Sequence, residues 1–160
     1  LLESGADKIS LNSAAVKNPV FVSELAKRYG EQFVVAAIDS KSVNNINKVF
    51  INGGRIETEM ETIAWSKKLQ DLGAGEILLT SMDKDGTQSG FDIQLLNLVN
   101  NAITIPVIAS GGAGEMTDFK ELFTKTNTDA ALAASIFHFG KIQINDLKQF
   151  LIQNAIQIRS

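Results

Sequence analysis

A parallel α/β sheet covered by helices is the fold class this sequence predicts, and three observations carry the prediction. Short runs rich in Val, Ile, Leu and Ala recur at residues 8–12, 33–39, 76–83, 106–110 and 130–137. They are nearly continuous instead of alternating, which is the signature of strands shielded on both faces by crossover helices. Helix-like stretches separate them, and each run stops at a residue able to do chemistry.

The elements can be justified in order. The opening, Leu1-Leu2-Glu3-Ser4-Gly5-Ala6-Asp7, reads as the last turn of a helix, its glycine stop and entry into the first strand, so an upstream portion is expected. The first strand, 8–12, runs into Asn12-Ser13-Ala14-Ala15 with no glycine, where an open doubly wound sheet would normally carry a dinucleotide fingerprint. A repeated unit with functional residues at successive carboxyl ends better suits about the last five units of an eight-unit (β/α)8 TIM barrel, whose strands all end on one catalytic face. The chain then reads as the carboxy-terminal portion, 1–160, of a single barrel domain.

A helix is expected over 18–29, then the strand 33–39 ending at Asp39. Val49-Phe50-Ile51-Asn52-Gly53-Gly54-Arg55-Ile56 reads as a hairpin around Gly-Gly, placed to form a substrate lid. Further helices are expected over 57–72, with Trp65 packed on the sheet, and over 93–101, 116–123 and 145–154. Residues two apart share a face of a strand, so if Asp39 points inward, Val35 and Ala37 do too. The companion inward sets are Lys8, Ser10 and Asn12; Glu76, Leu78 and Thr80; Ile108 and Ser110; Leu132 and Ala134. Lys8 and Glu76 then form an ion pair at the opposite mouth.

Composition narrows the functional classes. The chain has no cysteine, which excludes a disulfide framework and a thiolate nucleophile and suits a reducing cytoplasm. A net charge of -3 offers no broad basic footprint for nucleic acid, so any phosphate binding must be local. No stretch approaches a membrane span. His138 is the single histidine and has no cysteine beside it, so no zinc site of ordinary spacing is expected, and strand-end packing is its expected role. No cofactor is expected.

Among chemical groups Asp39 comes first, because a carboxylate leaving an apolar strand can have a raised pKa and pass protons near neutral pH; a capping or turn aspartate is the alternative. A partner acid should lie on another strand, with Asp83 or Asp85 the local choices. Thr80-Ser81-Met82-Asp83-Lys84-Asp85-Gly86-Thr87-Gln88-Ser89-Gly90 fits a calcium loop poorly, since it follows a strand and would end on Asp92 instead of a bidentate Glu. A loop closing over an anion fits better, against the alternative of an Asp-Gly turn without a ligand. Ser110-Gly111-Gly112-Ala113-Gly114 follows a strand directly, and Ala134-Ser135 ends the next run. Together they suit a phosphate site built from the loops after two neighbouring strands.

These residues resemble the cyclase subunit family of imidazole glycerol phosphate synthase, from histidine biosynthesis. The resemblance covers essentially the whole chain. It is most specific at Gly5-Ala6-Asp7-Lys8-Ile9-Ser10-Leu11-Asn12, residues 34–41, 73–87, 107–114 and 130–140. It implies an eight-unit barrel that uses ammonia to convert a phosphoribulosyl-formimino aminoimidazole carboxamide ribonucleotide into imidazole glycerol phosphate and the aminoimidazole carboxamide ribotide. Asp39 matches one of two catalytic aspartates. The other belongs to a first strand absent from this sequence, so the chain alone is expected to be inactive, and its open strand edges to favour self-association. Asn12 and Ser13 match one phosphate-binding strand end. Asp85, Gly86, Ser110, Gly111, Gly112, Ala134 and Ser135 match positions around the other phosphate, and Thr80 a substrate-adjacent strand end. Lys8 and Glu76 resemble part of a charged ammonia gate, with Asp7 on the rim facing a glutaminase partner and Ser10 lining the channel. Two other readings stand beside it: the sister isomerase on the same barrel, and a non-enzymatic phosphate-binding half-barrel.

Overall fold

The structure, a computed structural model, describes residues 4–159. The helix end expected at Leu1, Leu2 and Glu3 lies outside them. In chain order the elements are β1 (Ile9–Leu11), α1 (Ser13–Lys17), α2 (Val20–Tyr29), a 3₁₀ turn (Glu31–Phe33), β2 (Val34–Val43), β3 (Ile46–Ile51), β4 (Ile56–Glu61), α3 (Thr62–Asp71), β5 (Glu76–Ser81), α4 (Ile93–Asn100), β6 (Val107–Ser110), α5 (Met116–Lys125), β7 (Ala130–Leu132), α6 (Ser135–His138) and α7 (Ile144–Gln153).

All five apolar runs become parallel strands, side by side in the order β1-β2-β5-β6-β7. Helices cross over between them, but the cover expected on both faces is found on one: Ala37, Leu78 and Ile108 of the other face are only partly buried, and Ser10 and Leu132 are exposed. One face of each strand is buried beneath the helices. Val34, Ala36 and Ile38 of β2, Ile77 and Leu79 of β5, and Val107 and Ala109 of β6 are all buried. They share one core cluster with Trp65 and Leu69 of α3, Leu95 and Val99 of α4, and Phe119 and Leu122 of α5. Trp65 therefore packs on the sheet as its helical position implies.

The other face carries the alternate residues, and register aligns them in rows. Val35 pairs with Ser10 and Glu76; Ala37, Leu78, Ile108 and Ala130 form the next row; Asp39, Thr80, Ser110 and Leu132 form the last. The inward sets expected from period-two alternation are thus on one face, because unbroken parallel registers preserve the phase from strand to strand. Beside β1, an apolar groove of about 450 Å³ lies open, lined by Ile9, Leu11, Phe21, Leu25, Tyr29 and Phe33.

Four boundaries differ from expectation. Asp39 does not end its strand: β2 continues to Val43, and its last five residues pair with β3 in an antiparallel hairpin. Residues 57–61, expected to be helical, form most of β4, whose alternation places Thr58 and Met60 partly inside and Glu57, Glu59 and Glu61 in solvent. Helix α3 starts only at Thr62, whose hydroxyl meets that of Ser40 at 2.7 Å with both residues buried. The run 130–137 is a three-residue strand followed by α6, and β5 stops at Ser81. At both places backbone pairing ends while apolar residues continue, so composition overstates the strand. His138, expected to pack at a strand end, is instead exposed as the last residue of α6, edge-on to Phe139.

Candidate active site

The row Asp39–Thr80–Ser110 crosses the carboxyl ends of three neighbouring strands, so residues 71 positions apart in sequence come into one row with Thr80 between them. Asp39 is half-buried. Its Oδ2 accepts a hydrogen bond from Nδ2 of Asn12, at the carboxyl end of β1, at 2.9 Å. Burial pushes its carboxyl pKa up, the Asn12 hydrogen bond pulls it partly back, and the nearby negative charge of Asp85 raises it again. Of the two partner acids considered, Asp85 is the one that acts on Asp39. Asp83 is engaged with the hairpin, accepting the Ser42 backbone N–H at 2.8 Å.

The sign of the linkage follows from these causes. The folded-state pKa of Asp39 lies above its ordinary value of 3.8, so ionising it costs stability across the interval between the two values, and the full cost persists above the folded pKa. An Asp39→Asn chain is therefore expected to melt higher than the unaltered chain at pH 7, with the advantage vanishing below about pH 3.8, the unfolded reference. Parallel thermal melts across that pH range check it. A deficit at pH 7 would mean that the carboxylate is stabilised by its surroundings.

One strand further on, the row leads into a cavity of about 170 Å³ lined by Asp85, Gly86, Ser110, Gly111, Gly112 and Ser135 among others. Gly111 and Gly112 take φ of +92° and +103°, a backbone course that side chains disfavour and that lets consecutive amides turn toward one point. The loop is fixed from outside. Asp118 of α5 accepts the N–H groups of Gly114 and Glu115 at 2.8 Å each, and the Gly90 N–H donates to the Gly112 carbonyl at 2.9 Å. The loop of residues 80–90 and the loop of residues 110–114 are thus hydrogen-bonded to each other, and Ala134 and Ser135, the expected second half of the site, complete the wall. Gln88, Ala113 and Leu132 also line the cavity, within the two loops and the inward set the sequence marked but without a site role assigned to them, and so does Ala133, which sequence reasoning did not single out. Gln88 accepts a hydrogen bond from Lys141 Nζ at 2.8 Å. A contact spanning 53 positions leaves no local signal.

Asn12 and Ser13 sit away from this cavity, on the far side of Asp39. Their side chains are already engaged: Asn12 with Asp39, and Ser13 Oγ as acceptor of the Asn52 N–H from the hairpin turn at 2.9 Å. The hairpin is held over the carboxyl ends from two sides, by Ser13 and by Asp83. At the opposite ends of the strands, Lys8 and Glu76 form an ion pair that joins the β1 side to β5 across β2. Asp7 is exposed two residues before β1 begins, and Ser10 is exposed in the same row as Glu76. Behind the carboxyl rim, Ser81 donates to Asp92 Oδ2 at 2.9 Å while Asp92 Oδ1 caps α4 through the Leu95 N–H. That capping role replaces the calcium-loop reading of Asp92.

The arrangement offers one half-buried carboxylate with a raised pKa and one cavity lined by glycine-rich loops, on a shared face with Thr80 between Asp39 and Ser110 of the cavity wall. Among the described residues no cluster of three or more His, Cys, Asp or Glu is positioned to hold a metal ion, and no helix is long and apolar enough to cross a membrane.

Two curated relatives have the same sequence pattern. Imidazole glycerol phosphate synthase subunit HisF of Hydrogenobaculum sp. (strain Y04AAS1) is 55% identical over 160 residues, 99% of this chain and 64% of its own length. The subunit of the same name from Campylobacter concisus (strain 13826) is 52% identical over 159 residues, 99% of this chain and 62% of its own. The chain therefore spans a little under two thirds of the length of these relatives. Residues 1–143 match the histidine biosynthesis protein family, whose fold is a (β/α)8 barrel, and the five parallel β/α units described above follow that plan. With residues 1–143 of its 160 matched, this chain belongs to the histidine biosynthesis protein family.

Proposed function

We propose that this chain carries part of the active site of the cyclase subunit of imidazole glycerol phosphate synthase, a cytoplasmic enzyme of histidine biosynthesis. The observation that supports this most is the in-register row Asp39–Thr80–Ser110, which leads from a carboxylate of raised pKa to a glycine-lined cavity. A phosphorylated substrate needs such an anchor, and a cyclisation that moves protons needs such a carboxylate a fixed distance away.

In this reading, one phosphate of the phosphoribulosyl-formimino substrate is held by the loops at Asp85-Gly86, Ser110-Gly111-Gly112 and Ala134-Ser135. The other lies near Asn12 and Ser13, under the hairpin, with Thr80 between. Ammonia attacks the substrate carbonyl carbon, water leaves, and closure of the imidazole ring with release of the aminoimidazole carboxamide ribotide requires proton transfer on two sides. Asp39 serves one side. A second acid serves the other, and the family resemblance implies that it belongs to a strand outside this sequence. No cofactor is needed.

The Lys8–Glu76 pair at the opposite mouth supports an entry point for ammonia, with Asp7 contacting a glutaminase partner. The pair is partly exposed, so its role lies in gating and docking more than in stability. The test supplies the whole-length protein with substrate and either an ammonium salt or glutamine plus the glutaminase. Product from both sources is expected. Anion binding without turnover would favour a phosphate-binding module, and rearrangement that needs no ammonia would favour the sister isomerase.

A further inference from the structure

Asn12 occupies the N-cap position of α1, where an Asn side-chain oxygen would ordinarily accept a backbone N–H from the first turn. It does not: α1 has no side-chain cap. The amide is turned the other way, with Nδ2 donating to Asp39 Oδ2 at 2.9 Å across 27 residues of sequence. Its Oδ1 is buried with no hydrogen-bond partner among the described residues. Two costs are carried at one side chain, a forgone helix cap and an unsatisfied buried acceptor. A residue selected only to support the helix would carry neither.

We propose that Asn12 is a positioning residue for Asp39, fixing the carboxylate in one orientation on the rim through its Nδ2 donor. This rests on Asp39 being the proton-carrying group, and it assigns to the Asn12 side chain a role other than phosphate binding. An amide is suited to the task because it donates to the carboxylate without adding charge. Asp39 has Phe50 and Thr80 as its strand neighbours on either side, neither of them charged, and Asp85 is the charged group acting on it. Asn12 is thus the donor that offsets both burial and Asp85.

The test follows Asp39 by carboxyl ¹³C NMR titration in this chain, unaltered and as Asn12→Ala and the near-isosteric Asn12→Leu. Both variants are expected to move the Asp39 midpoint upward and to melt lower than the unaltered chain at pH 7, with the difference shrinking below about pH 3.8, where Asp39 is protonated folded or unfolded and no cap has been lost. In the whole-length protein with saturating ammonium, the same variants should lower kcat about 10–100-fold, with substrate KM changed less than about twofold, and shift the acid limb of the kcat profile upward. An Asp39 midpoint that does not move in either variant overturns the proposal. So does a loss expressed entirely in KM, which would return Asn12 to phosphate binding. A moved midpoint in a protein without cyclase turnover sustains the positioning role and overturns only the functional reading on which its catalytic use rests.

Discussion

Asp39→Asn in the whole-length protein is expected to lower kcat for cyclisation by about 10²–10⁴-fold at saturating ammonium, the range that a positioned general acid–base group contributes. The substitution keeps the shape and leaves an amide oxygen to accept the Asn12 hydrogen bond, so the carboxyl rim should keep its geometry. Substrate KM should change little, because the anion cavity begins two strands away at Ser110. Melts at pH 7 should show a variant at least as stable as the parent, which separates loss of proton transfer from loss of fold. Turnover near the unaltered rate would remove Asp39 from the chemistry.

Gly112→Ala is expected to be the most damaging small substitution at the cavity. A Cβ there would lie 2.1 Å from the Gly90 carbonyl oxygen and 2.9 Å from its carbon, and the backbone sits at φ +103°. Backbone atoms of a neighbouring loop cannot step aside as a side chain can, so left-handed strain and overpacking add, to on the order of 3 kcal/mol. For a domain of this size that corresponds to a fall of about 6–12 °C in Tm. Gly90 would be pushed off its hydrogen bond to Gly112, opening the cavity wall and weakening inorganic phosphate binding. Gly86→Ala is the internal comparison: φ is +74°, but a Cβ there meets nothing within 4 Å, so only conformational strain of about 1–2 kcal/mol applies. Equal losses in the two variants would show that the Gly90–Gly112 contact does not hold the loop.

The parts of this architecture that were legible in the sequence are those set by period and composition. Five nearly continuous apolar runs announced parallel strands. Their phase placed Asp39, Thr80 and Ser110 on one face before any register was known, and the glycines after residue 110 marked the loop that lines the cavity. The extension of β2 was hidden because Ser40-Lys41-Ser42-Val43 looks like loop; its stability comes from pairing with β3, a nonlocal partner. Residues 57–61 were read as the start of the helix expected over 57–72, whereas their alternate burial, with Thr58 and Met60 partly inside, is that of a strand paired with β3, a nonlocal contact. Three-dimensional contacts were out of reach for the same reason. Nothing local to Asn12 says that its amide turns from the helix it should cap toward Asp39, or that Ser13 holds the hairpin backbone instead of standing open.

If the Asp39 carboxylate and the glycine-lined cavity on the same sheet face form an ammonia-using cyclase site, turnover must respond to ammonia itself. The most direct measurement follows the phosphoribulosyl-formimino substrate with the whole-length protein, in the absence of any glutaminase, as free ammonium is varied. The account predicts imidazole glycerol phosphate and aminoimidazole carboxamide ribotide in equal amounts, at a rate that rises with ammonium and saturates. Consumption of substrate at a rate indifferent to ammonium, or tight binding with no products at any concentration, would contradict it.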